Sequence, residues 1–222
     1  QGNYAQARAL YEESMSLFRE LGDKRGIAQV LNNLGNVAHL QGDYALARAL
    51  VSENLAIQRE LGNKRRIAYS LNNLGEMTYQ QGDSAQARAL FEEGLALFRE
   101  LGDKQNIPTI LNNLGGFQSD QGDYAAARAL YEESLAMRRE LGNKPGIASS
   151  LYNLGTVSGY RSDYATACAL CQESLAIYRE LGDQQGIAGC LKELAEVAGA
   201  HGLPERSARL FGAAEALRDR GR

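Results

Sequence analysis

The sequence predicts an all-α solenoid of antiparallel helix pairs, about eleven helices, and three observations carry that prediction. First, the 222-residue chain aligns with itself at a period of forty without gaps: QGNYAQARALYEES from residue 1, QGDYALARALVSEN from 41, QGDSAQARALFEEG from 81 and QGDYAAARALYEES from 121. Second, Gly-Asp or Gly-Asn recurs twice per period. Third, apolar residues fall at spacings of three and four, with none of the period-two alternation of a half-buried strand. A period in the range of about 20–50 residues marks units that bury their apolar faces only by stacking on neighbours.

Taken in chain order, the first predicted helix, 3–20, is the second member of a pair without its first, and it exposes Tyr4, Ala7 and Tyr11. Gly22-Asp23 ends it. A glycine past a helix end accepts the left-handed conformation, and the following Asp or Asn accepts a free N–H of the next helix. The same punctuation at 42–43, 62–63, 82–83, 102–103, 122–123, 142–143 and 182–183 makes successive helices meet at very short turns, antiparallel. In the first helix of a pair, Ile27, Leu31, Leu34, Gly35 and Ala38 form one stripe; in the second, Tyr44, Ala47, Leu50, Val51 and Leu55 do. Glycine recurs at 35, 75, 115 and 155 and alanine at 7, 47, 87, 127 and 167, where small residues set the distance between helix axes. The fifth copy, RSDYATACALCQES from 161, is more diverged, and the sixth, HGLPERSARLFGAA from 201, keeps only the frame.

Composition narrows the function classes. Hydrophobic residues make up 44%, enough for a core, yet the longest apolar runs are too short for a membrane span or a signal peptide. A net charge of −3 and a pI near 5.6 argue against direct binding of DNA or RNA. Three cysteines, an odd number confined to one end, point to a reducing, cytoplasmic setting rather than a disulfide scaffold. Because it begins at Gln1 in the middle of a repeat, the chain reads as one repeat domain, 1–222, excised from a longer protein.

LNNLG at 31–35 returns at 71–75 and 111–115, and as LYNLG at 151–155. Asparagine costs a helix interior up to about 0.7 kcal/mol against alanine, because its amide competes for backbone hydrogen bonds. On a helical wheel Asn33 falls at the edge of the buried stripe, whereas Asn32 lies away from it with Gln29, Asn36 and His39. The forty-residue shift generates the row Asn32, Asn72, Asn112, Tyr152 and Lys192, with Tyr69, Glu76, Tyr79 and Thr156 beside it. Asn33, Asn73, Asn113 and Asn153 are expected to bond neighbouring helices.

These residues resemble the tetratricopeptide repeat, whose pattern is W-x2-L-G-x2-Y, then A-x3-F, then P. Leu31-x2-Leu34-Gly35 matches the first part with leucine for tryptophan, and Ala7-x3-Tyr11, Ala87-x3-Phe91 and Ala127-x3-Tyr131 match the second. The likeness covers nearly the whole chain. The tyrosine position departs, holding Ala38, Thr78, Gln118, Ser158 and Ala198; the terminal proline is absent, and each unit exceeds the standard length of about 34 residues. Long-period repeats of this kind look like those of kinesin light chains and of the sensor arms of bacterial signal-transducing ATPases and LuxR-type regulators, and SARLFGAAEALRDR at 207–220 is similar to the end of such a region. The resemblance implies a right-handed superhelix whose concave groove, lined by the first helix of each pair, holds a peptide or a partner protein. It implies that the row through Asn32 lines that groove, where an amide's donor and acceptor suit an extended backbone. The competing reading is that these amides, too, bond neighbouring helices.

Candidate chemistry is sparse. Cys168-x-x-Cys171, with Cys190 and His201, admits a remote redox or zinc reading, but the pair lies inside a predicted helix rather than at a helix N-terminus. Cys171 takes the aromatic core slot of Tyr11, Phe91 and Tyr131, and Cys168 replaces an outward arginine, so the cysteines are expected to be structural. The pairs Glu12-Glu13, Glu92-Glu93 and Glu132-Glu133 recur identically, and Arg8–Glu12 and Arg128–Glu132 sit four apart as helix-face ion pairs. No phosphate-binding glycine loop is present, and no cofactor or catalytic activity is expected. The leading function is a protein- or peptide-binding scaffold, the sensor or regulatory arm of a larger bacterial signalling or transcription-regulating protein. The alternative is a structural spacer or a module that self-associates end to end.

Overall fold

The computed structural model describes residues 4–220. Among them are eleven helices and no strand: α1 (Tyr4–Glu20), α2 (Lys24–Leu40), α3 (Tyr44–Glu60), α4 (Lys64–Gln80), α5 (Ser84–Glu100), α6 (Ile107–Asp120), α7 (Tyr124–Glu140), α8 (Lys144–Tyr160), α9 (Tyr164–Leu181), α10 (Gln184–Ala200) and α11 (Pro204–Arg220). Asn3, expected in the first helix, lies outside the described residues. Two compact units divide the chain, Gln1–Asp103 with α1–α5 and Lys104–Arg222 with α6–α11.

The punctuation works as the sequence implies. Asp23 accepts from the Arg25 and Gly26 N–H groups at 3.0 and 3.1 Å, and Asp43, Asn63, Asp83, Asp123, Asn143, Asp163 and Asp183 cap their helices likewise. The turn before α9 departs from the pattern: Ser162, standing where the other copies have glycine, is held at φ 60°. Helix α6 departs as well, starting at Ile107 with no side-chain cap. The cause is Pro108, which lacks an N–H and would clash with the carbonyl four residues back if the helix began at Lys104; inside the first turn it is tolerated.

Packing follows the predicted stripes, with two corrections. Leu31, Leu34, Gly35 and Ala38 are buried, as are Ala47, Val51 and Leu55, but Tyr44 is exposed, because it opens α3 and its ring lies edge-on to His39 at 5.4 Å. In α1, Tyr11 is half-buried against Met15, Val30 and Leu31, so the apolar side chains it leaves open are Leu10 and Leu17 together with Tyr4. The small residues do set the spacing. A Cβ on Gly75 would fall 2.8 Å from Phe91, and one on Gly115 would fall 2.6 Å from Tyr131. Cys171 fills the same slot against Gly155, and it is buried with Cys190.

A buried polar clip, which the apolar pattern does not reveal, joins successive pairs. On the second helix Asn54 Nδ2 donates to the Ala28 carbonyl and its Oδ1 accepts from Ser70 Oγ at 2.9 Å. At the same register Ser134 Oγ donates to the Pro108 carbonyl at 2.9 Å, and Ser174 Oγ to the Ala148 carbonyl at 2.7 Å. Cys190 stands at the register of Ser70 and Ser150, which Val30 and Ile110 fill in the remaining copies, and its thiol donates to Ser174 Oγ at 3.3 Å. Exposed ion pairs repeat alongside: Arg19–Glu53, Arg59–Glu93 and Arg139–Glu173 in one column, and Lys24–Glu60, Lys64–Glu100 and Lys144–Glu180 in another. Each is solvent-screened and of small value alone.

Candidate functional site

A helix pair leaves its first helix's outer face open wherever the second helix is not stacked on it. In the first unit α2 and α4 present this face, and between them, floored by α3, lies a polar cleft of about 580 Å³. It forms where the repeat breaks. At the register of Phe18 and Tyr178, aromatic rings lie directly over Gly26 and Gly186; here the same two positions hold Gln58 and Arg66, and no ring closes the gap.

The structure brings Gln29, Asn32 and Tyr69 of the expected row together in this cleft, joined by Arg25, Asn33, Asn54, Gln58, Asn63 and Arg66. Tyr69 is steadied by an edge-on contact with the Phe98 ring at 5.2 Å. Asn32 is half-buried in the cleft lining, and its amide makes no hydrogen bond among the described residues. Asn36 and Glu76 are exposed further along α2 and α4, outside the cleft lining. His39 sits at the far end of α2, its Nε2 3.2 Å from Gln80 Oε1. Tyr79 and Asn72 are half-buried, and both have partners within the protein.

In the second unit the row behaves differently, and two expectations are corrected. Asn112 is not a free groove amide: Nδ2 donates to Ser149 Oγ and Oδ1 accepts from Ser150 Oγ, each at 3.3 Å, so it ties α6 to α8. Conversely Asn33, Asn73 and Asn153, expected to bond neighbouring helices, make no side-chain hydrogen bond among the described residues. They are half-buried at the edge of the stripe, and the helices are joined through Asn54, Ser134 and Ser174 instead. Tyr152 is half-buried, its phenol pushed up to about 12 chiefly by burial, and Thr156 Oγ1 donates to the Tyr152 carbonyl at 3.2 Å. Lys192 reaches Glu196 at 3.7 Å and borders a second cleft of about 580 Å³ between α10 and α11, with Gln185, Gly189, Phe211 and Glu215.

Four functional candidates were missed by the wheel. Arg25 and Arg66 flank Asn32 in the cleft, Glu193 follows Lys192, and Arg138 stands at the register of Gln58. Glu193 occupies the position of Asn33 and Asn153, and burial pushes its carboxyl up. Arg138 is 7% exposed; Nη1 donates to the Gly146 carbonyl at 2.7 Å and to Ser150 Oγ at 3.3 Å, and burial lowers its pKa. For Arg66, Glu193 and Arg138 the signal was a charged residue breaking a glycine, amide or aromatic column of the repeat, whereas Arg25 shares its column with Arg65 and gave none.

The cysteines build no cluster with acids or histidines. Burial raises the Cys171 and Cys190 thiols, which disfavours the thiolate that redox chemistry or metal ligation needs. Cys168 is half-buried and accepts from Gln172 Nε2 at 3.3 Å. Among the described residues no group of three or more His, Cys, Asp or Glu is placed to hold a metal ion, and no helix is long and apolar enough to cross a membrane.

Comparison with known proteins agrees with this architecture. The tetratricopeptide-repeat family model matches residues 1–51, 26–100 and 106–164, and that of anaphase-promoting complex subunit 5 matches 142–201. No curated protein matches at a significant level. Among solved structures, BtubC (BKLC) from P. vanneervenii is similar with a TM-score of 0.81 at 21% identity, over 99% of this chain and 92% of that one. A Rap protein complexed with competence and sporulation factor gives 0.72 at 16% identity, over 96% and 65%. A signal transduction ATPase with numerous domains from Pyrococcus horikoshii, a protein with a tetratricopeptide repeat sensor, gives 0.75 at 15% identity, over 96% of this chain and 37% of that one.

Proposed function

Since the chain belongs to the tetratricopeptide-repeat family, whose members are protein-interaction scaffolds, we propose that it captures an extended peptide or protein segment on the first-helix face and serves as the sensor or regulatory arm of a larger bacterial signalling protein in the cytoplasm. The observation that carries the reading is the polar cleft of the first unit, where Gln29, Asn32 and Tyr69 converge and Asn32 has no partner of its own. A side-chain amide there can donate to a peptide carbonyl and accept from a peptide N–H, which fixes an extended backbone without demanding one side chain. Tyr69 supplies a rigid aromatic edge of the sort that anchors an interface. The similar Rap structure holds a bound factor and the similar ATPase uses such repeats as a sensor, and both support the assignment.

The test is selection of binders from a displayed random-peptide library by the whole chain, followed by Gln29→Ala, Asn32→Ala and Tyr69→Ala in combination. Loss of capture with an unchanged melting curve supports the reading. Capture that survives all three substitutions, or that is abolished by Glu92→Gln and Glu132→Gln on the outer helices, refutes it.

A further inference from the structure

At the C-terminal ends of α6 and α8, one copy of the repeat departs from the others at three positions at once. The slot against the packing glycine holds Val51, Phe91, Tyr131, Cys171 and Phe211 in successive complete pairs, so it carries a hydroxyl only at Tyr131. The residue after that packing position is Asn36, Glu76, Gly116, Thr156 and Glu196, and the pair with the hydroxyl is the one that lacks a side chain there. The column one turn on is Leu40, Gln80, Asp120, Tyr160 and Ala200, and the same pair is the one that has an acid. Glycine weakens a helix interior, and here it leaves a niche. A Cβ on Gly116 would lie 3.7 Å from the Tyr131 phenol oxygen, so a longer side chain, such as those of Asn36 and Thr156, would stand over it.

Tyr131 is 4% exposed, and its Oη makes no hydrogen bond among the described residues. Burial pushes this phenol up, and Asp120 and Tyr160 add to the shift, so both lie within electrostatic reach of the oxygen. Asp120 is exposed and makes no ion pair among the described residues. The Tyr160 ring is stacked on Tyr124 at 5.3 Å and 28°, which covers one face, while the residue stays 58% exposed. Its phenol is pushed up by burial and then by Glu193, Glu196, Tyr124 and Asp120, each an anion when ionised. The cations of the surrounding helices are committed elsewhere: Arg128 pairs with Glu132, Lys192 with Glu196, and Arg161 stands by Asp163. Helices α6 and α8 both end here, and a helix C-terminus also favours positive charge.

We propose that this niche takes a guanidinium, whose plane lies on the open face of Tyr160 while its N–H groups donate to the Asp120 carboxylate and to Tyr131 Oη. The cation that fits is organic, since among the described residues no group of three or more His, Cys, Asp or Glu is placed to hold a metal ion. A guanidinium is planar, weakly hydrated and a donor only, so it can stack on a ring and bond a carboxylate at once, which an ammonium cannot do. A free guanidino compound and an arginine side chain share this chemistry. The niche belongs to the second unit and uses none of the residues of the first unit's cleft, so it is independent of the peptide-binding reading above.

The probes are N-acetyl-arginine amide, its neutral isostere N-acetyl-citrulline amide, and methylguanidinium, each titrated into the isotope-labelled whole chain. The backbone N–H groups of Gly116 and Asp120 and the ring of Tyr160 report occupancy. Arginine amide should bind at least about ten-fold more tightly than citrulline amide. The variants borrow side chains that the repeat already accommodates at the same register, and circular dichroism checks that each is folded. Asp120→Gln, as in Gln80, should weaken arginine binding about ten-fold. Tyr131→Phe, as in Phe91, and Tyr160→Ala, as in Ala200, should weaken it about three-fold each. Gly116→Asn, as in Asn36, should abolish it by filling the niche, and Glu132→Gln on the outer face should leave it intact. Methylguanidinium binding within about three-fold of arginine amide assigns the niche to a free guanidino compound, and a larger preference for arginine amide assigns it to an arginine side chain; either result supports the guanidinium. Equal binding of arginine and citrulline amides, no binding of either cation, or binding that survives both Asp120→Gln and Gly116→Asn overturns the proposal.

Discussion

Gly115 offers a sharp quantitative check on how the helices pack. A Cβ built there would lie 2.6, 2.8 and 2.9 Å from Cε1, Cδ1 and Cζ of Tyr131, a ring buried between α6 and α7. Ordinary carbon contacts begin near about 3.5 Å, so alanine forces the ring or the helix axis back by roughly 1 Å. Overpacking of that kind costs about 1–3 kcal/mol, against a gain of about 1 kcal/mol from helix propensity. Gly115→Ala is therefore expected to be neutral to about 2 kcal/mol less stable. Gly212, inside α11 with nothing within 4 Å of a built Cβ, feels only the propensity term. Gly212→Ala should gain about 0.5–1 kcal/mol. Combining Gly115→Ala with Tyr131→Val, the residue that faces Gly35 as Val51, should cost less than the sum of the single changes. Urea unfolding followed by far-UV circular dichroism measures all four proteins. If Gly115→Ala stabilises as much as Gly212→Ala, or the double variant is simply additive, the close approach of α6 to α7 is wrong.

Further outcomes follow from single contacts. Asn54→Ala removes the bonds to the Ala28 carbonyl and Ser70 and should cost about 1–3 kcal/mol in denaturant melts, more than Asn32→Ala, which breaks none. Ser162→Gly relieves a left-handed serine and should add about 1 kcal/mol. Glu193 has its carboxyl raised by burial, so the fold binds that proton more tightly than the unfolded chain; the contribution is present below the ordinary glutamate range and is lost as pH rises through the folded value. Glu193→Gln should thus be more stable than the parent at neutral pH and lose that advantage in acid, as paired melts across pH will show.

Much of the fold was legible because a repeat states its rules several times. Four near-identical copies placed every Gly-Asp turn and the leucine stripe, and the structure keeps both. What escaped were departures from the repeat. Pro108 delays α6 by removing one N–H, and Ser162 adopts a glycine conformation, since each depends on local backbone sterics rather than periodicity. The site was half visible. A wheel separates Asn32 from Asn33 by angle, yet it cannot show that Asn112 finds Ser149 and Ser150 on α8 while Asn32 faces Tyr69 in the corresponding place. Nor does it weigh Gln58 and Arg66, whose meaning lies in the ring and glycine they replace.

The central claim is that the first-helix face is where a partner segment binds, and nuclear magnetic resonance mapping of a library-selected peptide onto the isotope-labelled chain tests it most directly. The account predicts that the side-chain amides of Gln29 and Asn32 and the ring of Tyr69 shift most, with intermolecular contacts to the peptide backbone at Asn32. Shifts confined to the outer helices, around Arg48, Arg88 and Arg128, with Asn32 and Tyr69 unmoved, would contradict it.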